Sequence, residues 1–347
     1  MNQGLANVAQ LVEFDEILDT RSPSEFGEDH VPGAVNCPAL NDVERARIGT
    51  LYKQDSPFAA RKAGAALVAR NIACCLEERF ADRGREWRPL IYCWRGGKRS
   101  GAFVTIFRQI GWDACQLEGG YKSYRRFVVA ELERLPARFR FRIVSGATGS
   151  GKSRLLQALA AQGAQALDLE ALAAHKGSVL GELPDAPQPS QKMFESRLLQ
   201  ALSSLDPART VYAEAESRRI GNLQVPDALM AAMRASPCLR VVATLPARVQ
   251  FLLTDYQYFL LDPQRLRSRL DCLRGHQSND VLARWMQLID RGDWPALVAD
   301  LLERHYDPLY NRSQGRNYVQ YPAAPGFDTD DLSPSGLQRL AAAILAA

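Results

Sequence analysis

The sequence predicts two consecutive α/β units, each built on a parallel sheet, with the second enlarged by helical additions. Three observations predict it. Short apolar runs alternate with amphipathic helical patterns, the signature of strands joined by crossover helices. Two of those runs lead into glycine-rich loops that open helices, at Cys93 and at Gly146. The chain of 347 residues also exceeds the ~250–300 at which a single hydrophobic core stops growing.

In the first unit Glu16–Asp19 and Ala34–Cys37 read as strands. Pro57–Phe80 reads as a long helix because Ala, Leu and Val recur at three- and four-residue spacing. Pro89–Tyr92 is a short apolar strand ending at Cys93. Ser100–Ile110 follows as helix, Ala114–Leu117 as strand and Tyr121–Leu135 as a basic amphipathic helix. Pro136, which lacks the N–H a helix interior needs, stops that helix. It sets the division between residues 1–136 and 137–347. Beyond it Phe139–Ser145 is a strand and Lys152–Ala161 the helix after the second loop. Ala166–Leu169, Thr210–Ala215 and Leu239–Thr244 are further strands, Leu183–Ser190 is a Pro-rich surface loop, and Gln264–Glu303 is almost wholly helical.

Composition narrows the class. The chain is 46% hydrophobic and 24% charged, and no run approaches the ~18–20 apolar residues of a membrane span. The N-terminus lacks a basic start, an apolar stretch and a small-residue cleavage site, so a cytoplasmic protein is expected. Seven cysteines, an odd number with no CxxC pair, are expected to be mostly reduced thiols without a zinc site. The net charge is +4, yet Arg83 to Arg142 holds fourteen Lys and Arg against five Asp and Glu. That stretch is either a solvated basic face or a surface for a polyanion.

Gly146-Ala147-Thr148-Gly149-Ser150-Gly151-Lys152-Ser153 satisfies G-x-x-x-x-G-K-[ST] between an apolar strand and a helix, the context of a P-loop. Its glycines let backbone amides turn inward as an anion nest, and the helix N-terminus adds partial positive charge. Lys152 is placed to reach terminal phosphates and the Ser153 hydroxyl to ligate Mg²⁺. An acidic partner for that metal belongs at the end of a neighbouring strand. Glu214 and Glu216 stand at one such end and Asp168 at another. No tightly bound cofactor is expected. The motif specifies phosphate binding, not ATP hydrolysis.

Cys93-Trp94-Arg95-Gly96-Gly97-Lys98-Arg99 likewise joins a strand to a helix. The cysteine then sits at the rim of the sheet, with loop amides and a helix N-terminus aimed at its sulfur. Arg95, Lys98 and Arg99 add positive charge, which lowers a thiol pKa and makes an anion pocket. Such a thiolate attacks sulfur, selenium or phosphorus electrophiles. Cys37, Cys115, Cys238 and Cys272 read as core residues; Cys74 and Cys75 sit within a helical pattern, a resolving thiol being the lesser alternative for either; His30 reads as structural, and His175, His276 and His305 have no metal-ligand spacing.

Around this loop, Asp19-Thr-Arg-Ser-Pro-Ser-Glu25-Phe26, His30-Val-Pro32-Gly33-Ala34-Val-Asn36, Gly111-Trp112 and Leu117-Glu-Gly119-Gly120-Tyr121 resemble rhodanese-like domains over Ile17 to Arg126. Cys93 and Arg99 also satisfy the Cys-x5-Arg of cysteine phosphatases, although Tyr92 stands where those carry His. A sulfurtransferase or phosphatase with a nucleotide-binding regulatory domain is therefore the competing reading. A rhodanese-like domain followed by a P-loop domain is the layout of bacterial tRNA 2-selenouridine synthases. Leu51-Tyr-Lys-Gln-Asp-Ser-Pro-Phe58, Gly64-Ala-Ala-Leu-Val-Ala-Arg-Asn71, Tyr92–Gly97, Glu214-Ala-Glu216-Ser217 and Ile220–Pro226 all resemble that family. The resemblance implies replacement of sulfur by selenium in wobble 2-thiouridine of tRNA. Selenophosphate, with an enzyme that supplies it, is the implied donor, and S-geranylation from geranyl diphosphate the implied intermediate step. It would assign Cys93 and its loop to selenophosphate, Gly146–Ser153 to the geranyl diphosphate, and Lys122, Arg125 and Arg126 to the tRNA backbone.

Overall fold

Five strands of the first unit pair as one all-parallel sheet in the order β1-β5-β4-β2-β3. They are β1 (Leu5–Ala6), β2 (Glu16–Asp19), β3 (Val35–Asn36), β4 (Pro89–Tyr92) and β5 (Cys115–Leu117). The computed structural model describes residues 4–347, apart from the side chains of residue 311 and residues 313–316. Every residue of β4 is buried, as the middle strand of a parallel sheet covered on both faces should be. Helices α1 (Pro23–Glu28), α2 (Asp42–Gln54), α3 (Pro57–Arg79), α4 (Lys98–Ile110) and α5 (Gly120–Arg134) connect the strands. The core gathers Leu18 and Ile91 from the sheet with Phe80, Trp87, Phe103, Phe107 and Trp112.

The periodicity of α3 predicted that helix to within one residue, but α2 carries no apolar stripe and was not expected. Its ends are fixed locally. Asn41 and Glu44 form a capping box at its start, and Ser56 caps α3 with Pro57 in the first turn. The chain therefore breaks at Asp55–Ser56 and doubles back as a helical hairpin, with Ile48 against the bare Gly64 position.

The second unit holds another all-parallel sheet, ordered β12-β11-β6-β8-β7. Its strands are β6 (Arg140–Gly146), β7 (Gln165–Leu167), β8 (Thr210–Glu214), β11 (Cys238–Ala243) and β12 (Gly326–Thr329); β9 (Arg219–Ile220) and β10 (Leu223–Gln224) form a separate antiparallel hairpin. From central β6 the chain goes to one side for β7 and β8, then to the other for β11 and β12. The loop after β6 thus lies at the switch point, where open α/β sheets bind ligands. Helices α6 (Lys152–Ala161), α7 (Leu169–Ala173), α8 (Gln191–Ser203) and α9 (Asp227–Ala235) accompany these strands. Then come α10 (Leu245–Asp255), α11 (Gln257–Leu261), α12 (Pro263–Asp271), α13 (Asn279–Arg291), α14 (Trp294–Leu301), α15 (Asp307–Asn317) and α16 (Pro334–Ala346). Leu155 and Leu159 of α6 pack with Leu340 and Ile344 of α16. The helical addition has its own core, where Trp285 is fully buried and donates to Asp300 at 2.9 Å.

Compactness divides the chain at Glu131/Leu132, with Glu195–Gln200 grouped with the first unit. Pro136 falls within a 3-10 turn, Leu135–Arg138, that continues directly from α5. Among the described residues no helix is long and apolar enough to cross a membrane, and all seven cysteines are free.

Candidate functional site

Two separate sites emerge, one in each unit. In the first, Cys93 follows the last residue of β4, and the loop Cys93–Gly97 curls back to start α4. The turn is shaped by close backbone approach. Gly96 has φ +63°, and a Cβ there would stand 2.7 Å from the Leu117 carbonyl oxygen. At Gly120, φ +59°, a Cβ would stand 2.3 Å from the Cys93 carbonyl oxygen. Across this approach the amides of Tyr121 and Lys122 donate to the carbonyls of Cys93 and Trp94 at 2.9 and 3.1 Å. The loop is thereby pinned to the first turn of α5.

The thiol itself is an acceptor. The Gly97 amide reaches Cys93 Sγ at 3.2 Å and the Ser100 hydroxyl at 3.1 Å. Gln116 Nε2 holds Ser100 Oγ at 2.7 Å and the Gly97 carbonyl at 3.0 Å. Cys93 is only 3% exposed, and burial alone would raise its pKa. The Ser100 hydroxyl and the amides of Ser100, Gly97 and Arg95 outweigh burial and hold the thiol below its ordinary value. Replacing Ser100 by alanine removes one charge-assisted hydrogen bond worth ~1.5–3 kcal/mol. The Cys93 pKa should therefore rise, moving thiolate formation to higher pH. Ultraviolet titration of the thiolate, with Cys93→Ser as blank, measures it.

The charged residues of the loop separate into two kinds. Arg95 and Lys98 are exposed. Arg99 is half-buried and donates to Glu25 at 2.8 Å, and Arg45 meets the same carboxylate at 3.0 Å. Burial works against the Glu25 charge, but the bond from Arg99 leaves its pKa lowered. Trp94 is half-buried beside the Tyr121 ring, 5.3 Å between centroids. Lys122 and Arg126 are exposed on the first turns of α5, whereas Arg125 is half-buried and paired with Glu195. Cys75 hydrogen-bonds with buried Cys37, and Cys74 is exposed.

The second site lies at the end of β6. Gly146–Ser153 wraps the start of α6, with Lys152 Nζ on the Gly146 carbonyl at 3.0 Å. Arg248, buried and paired with Asp307, donates to the Thr148 carbonyl at 2.9 Å and braces the loop. The loop borders a cleft of about 650 Å³ that also includes Asp168, Glu170, Lys176, Glu216 and Tyr306.

Carboxylates converge here. Glu170, Glu214 and Glu216 bring oxygens within 4.8 Å of one another. Ser153 Oγ donates to Glu170 at 2.6 Å and lies 3.0 Å from Glu214. Burial first, and mutual repulsion second, push Glu216 up to about 8 and hold Glu214 well above the carboxylate range. Buried acids beside a P-loop serine fit a divalent cation, which would relieve that repulsion. Ser153, Glu170, Glu214 and Glu216 are the residues that would hold it. Asp168 adjoins this trio through Glu214, but its carboxylate also caps α7, accepting from the Ala171 amide at 2.8 Å. Glu170, two residues on, turns toward Ser153 instead. Sequence reading named the strand-end acids but missed Glu170, because it lies inside a five-residue helix with no periodic signal; Ser100 and Gln116 were missed for the same lack of a motif.

Beside the cleft is a narrow slot of about 60 Å³ between α10, α11 and α14. Leu252, Leu253, Phe259, Leu260, Trp294 and Val298 are among its walls. Thr148 of the loop lines both spaces, as do Ser178, Leu252, Tyr256 and Tyr306.

Comparison with known proteins agrees with both halves. The family model of the tRNA 2-selenouridine synthase AAA domain matches residues 139–268, and that of the rhodanese-like domain matches residues 5–126. A tRNA 2-selenouridine synthase of Nitrosomonas europaea is 37% identical over 69% of this chain and 63% of its own length. Those of Marinobacter nauticus and Alcanivorax borkumensis are 36% and 33% identical over 85% of this chain, and 87% and 88% of theirs. At that identity and coverage, the chain belongs to the tRNA 2-selenouridine synthase family.

Proposed function

We propose that this protein modifies tRNA, replacing the sulfur of wobble 2-thiouridine with selenium from selenophosphate by way of an S-geranyl intermediate. The names of the relatives support the tRNA and selenium parts of this reading. The observation that carries the geranyl part is the apolar slot opening beside the phosphate cleft. Leucine, valine and aromatic walls offer little for a nucleobase to hydrogen-bond, whereas they suit a prenyl chain whose diphosphate rests on Gly146–Ser153. The narrowness of the slot means α10 and α14 part to admit the chain.

On this reading each chemical role falls to a particular group. Lys152 and the loop amides take the diphosphate, and a divalent cation on Ser153 and the acidic trio would neutralise it further. Alkylation of the thione sulfur releases diphosphate and converts a poor leaving group into a thioether. The Cys93 thiolate attacks the phosphorus of selenophosphate, forming an S–P bond as the P–Se bond breaks; the hydroselenide released attacks C2 of the base and expels geranylthiol, and water cleaves the phosphocysteine to free phosphate. The amides of Arg95, Gly97 and Ser100, with exposed Arg95 and Lys98, favour the anionic forms this step needs. Lys122 and Arg126 contribute charge for the tRNA backbone, while the wobble base is splayed out.

The test is mass spectrometry of wobble nucleosides after thiolated tRNA is incubated with the protein, geranyl diphosphate and selenophosphate, each omitted in turn. S-geranyl-2-thiouridine is expected without selenophosphate, and 2-selenouridine only with all components. Selenation at full yield without geranyl diphosphate would overturn the intermediate. A plain sulfurtransferase or phosphatase would instead turn over thiosulfate or an aryl phosphate without tRNA.

A further inference from the structure

We infer that the α2–α3 hairpin of the first unit is an RNA-binding surface, which receives single-stranded nucleotides of the anticodon loop next to the Cys93 loop. The inference rests on the RNA-modifying reading above and names a face that reading left unused. An open groove of about 740 Å³ runs along one side of α2, lined by Leu40, Arg45, Ile48, Tyr52, Lys53 and Arg99. Arg99 stands in the first turn of α4, next to Ser100, whose hydroxyl donates to Cys93 Sγ, so this end of the groove lies toward the thiol loop.

Two features match nucleic acid. Tyr52 is 54% exposed and Phe58, across the Asp55–Ser56 break, is 74% exposed. Exposed aromatic faces of this kind stack on unpaired bases. They are interleaved with cations: Arg47, Lys53, Arg61 and Lys62 are all exposed. At the end of the groove toward the thiol loop, Arg45 and Arg99 share the single carboxylate of Glu25. Two guanidiniums on one carboxylate leave a surplus positive charge, suited to a phosphate. The acids of α2 are mostly committed elsewhere, since Glu44 bonds the Asn41 amide and Asn71, and Asp42 bonds Ser24. Aromatic platforms with a cationic track beside a reactive loop are what a flipped wobble base and its neighbours require.

The experiment measures binding of a fluorescent anticodon stem-loop RNA to the full chain across a salt series. Tyr52→Ala with Phe58→Ala should weaken binding about 30-fold or more, because two bases lose their stacking platforms. Lys53→Glu should also weaken it and flatten the salt dependence, by roughly 0.7 in the log–log slope for each phosphate that is no longer neutralised. Pyrophosphate binding and melting temperature should be unchanged in both variants, because all three side chains are exposed. Wild-type RNA affinity and salt slope in both variants would overturn the inference, as would retained RNA binding with loss of self-association in sedimentation. Failure of the wild-type chain itself to bind the stem-loop is a different result: it removes the RNA-modifying reading and this surface with it.

Discussion

Cys93→Ser is expected to abolish selenium incorporation while leaving S-geranylation of thiolated tRNA in place. The substitution is nearly isosteric, and the serine oxygen still accepts from the Gly97 amide and the Ser100 hydroxyl that now meet sulfur. The fold and the loop should therefore survive. The chemistry should not. The donors around Cys93 lower the pKa of a thiol and so favour its anion, whereas a hydroxyl titrates too high for the same donors to ionise it. Loss of a nucleophile that acts as part of a unit costs on the order of 10³-fold or more. The P-loop lies in the other sequence unit and keeps every group the alkylation step uses. The readout is the wobble nucleoside: 2-thiouridine converts to its S-geranyl form and stops there. Undiminished 2-selenouridine would remove Cys93 from the mechanism.

How far the sequence alone leads can be judged from particular residues. Strands β2 and β4 and helix α6 match the predicted spans residue for residue, because each is a clean apolar run or stripe bounded by a turn signal. Both reactive loops were legible for the same reason: glycines and cations at fixed spacing leave few other conformations. What the sequence hid depends on distant segments meeting in the fold. Ser100 becomes a thiol donor only when α4 begins at Lys98 and Gln116 arrives from β5. Arg99 reads as a free cation beside the sulfur, yet folding delivers Glu25 to it across 74 positions. Glu170 takes its place beside Ser153 because Asp168 is drawn into capping α7. Edge strands β1 and β12 gain their order from a neighbour, so Leu5–Ala6 and Gly326–Thr329 carry no pattern of their own.

The second large effect separates the head of the prenyl donor from its tail. Lys152→Ala should weaken both pyrophosphate and geranyl diphosphate, by about 10- to 100-fold, since a hydrogen bond to a charged group contributes ~1.5–3 kcal/mol. Val298→Trp should behave differently. Val298 is half-buried on the wall of the apolar slot, and it does not border the phosphate cleft. An indole there fills the slot and leaves Gly146–Ser153 untouched. Each methylene of the prenyl chain kept in water forfeits roughly 0.8 kcal/mol, so exclusion of even half the chain lowers geranyl diphosphate affinity about 100-fold or more. Calorimetric titration of both ligands against both variants gives the pattern. Lys152→Ala loses affinity for each ligand, whereas Val298→Trp binds pyrophosphate as the wild type does and loses only the prenyl increment. If Val298→Trp binds geranyl diphosphate normally, the chain lies elsewhere and the slot belongs to the helical core; if wild-type protein binds pyrophosphate and geranyl diphosphate equally, the loop serves a ligand with no apolar tail.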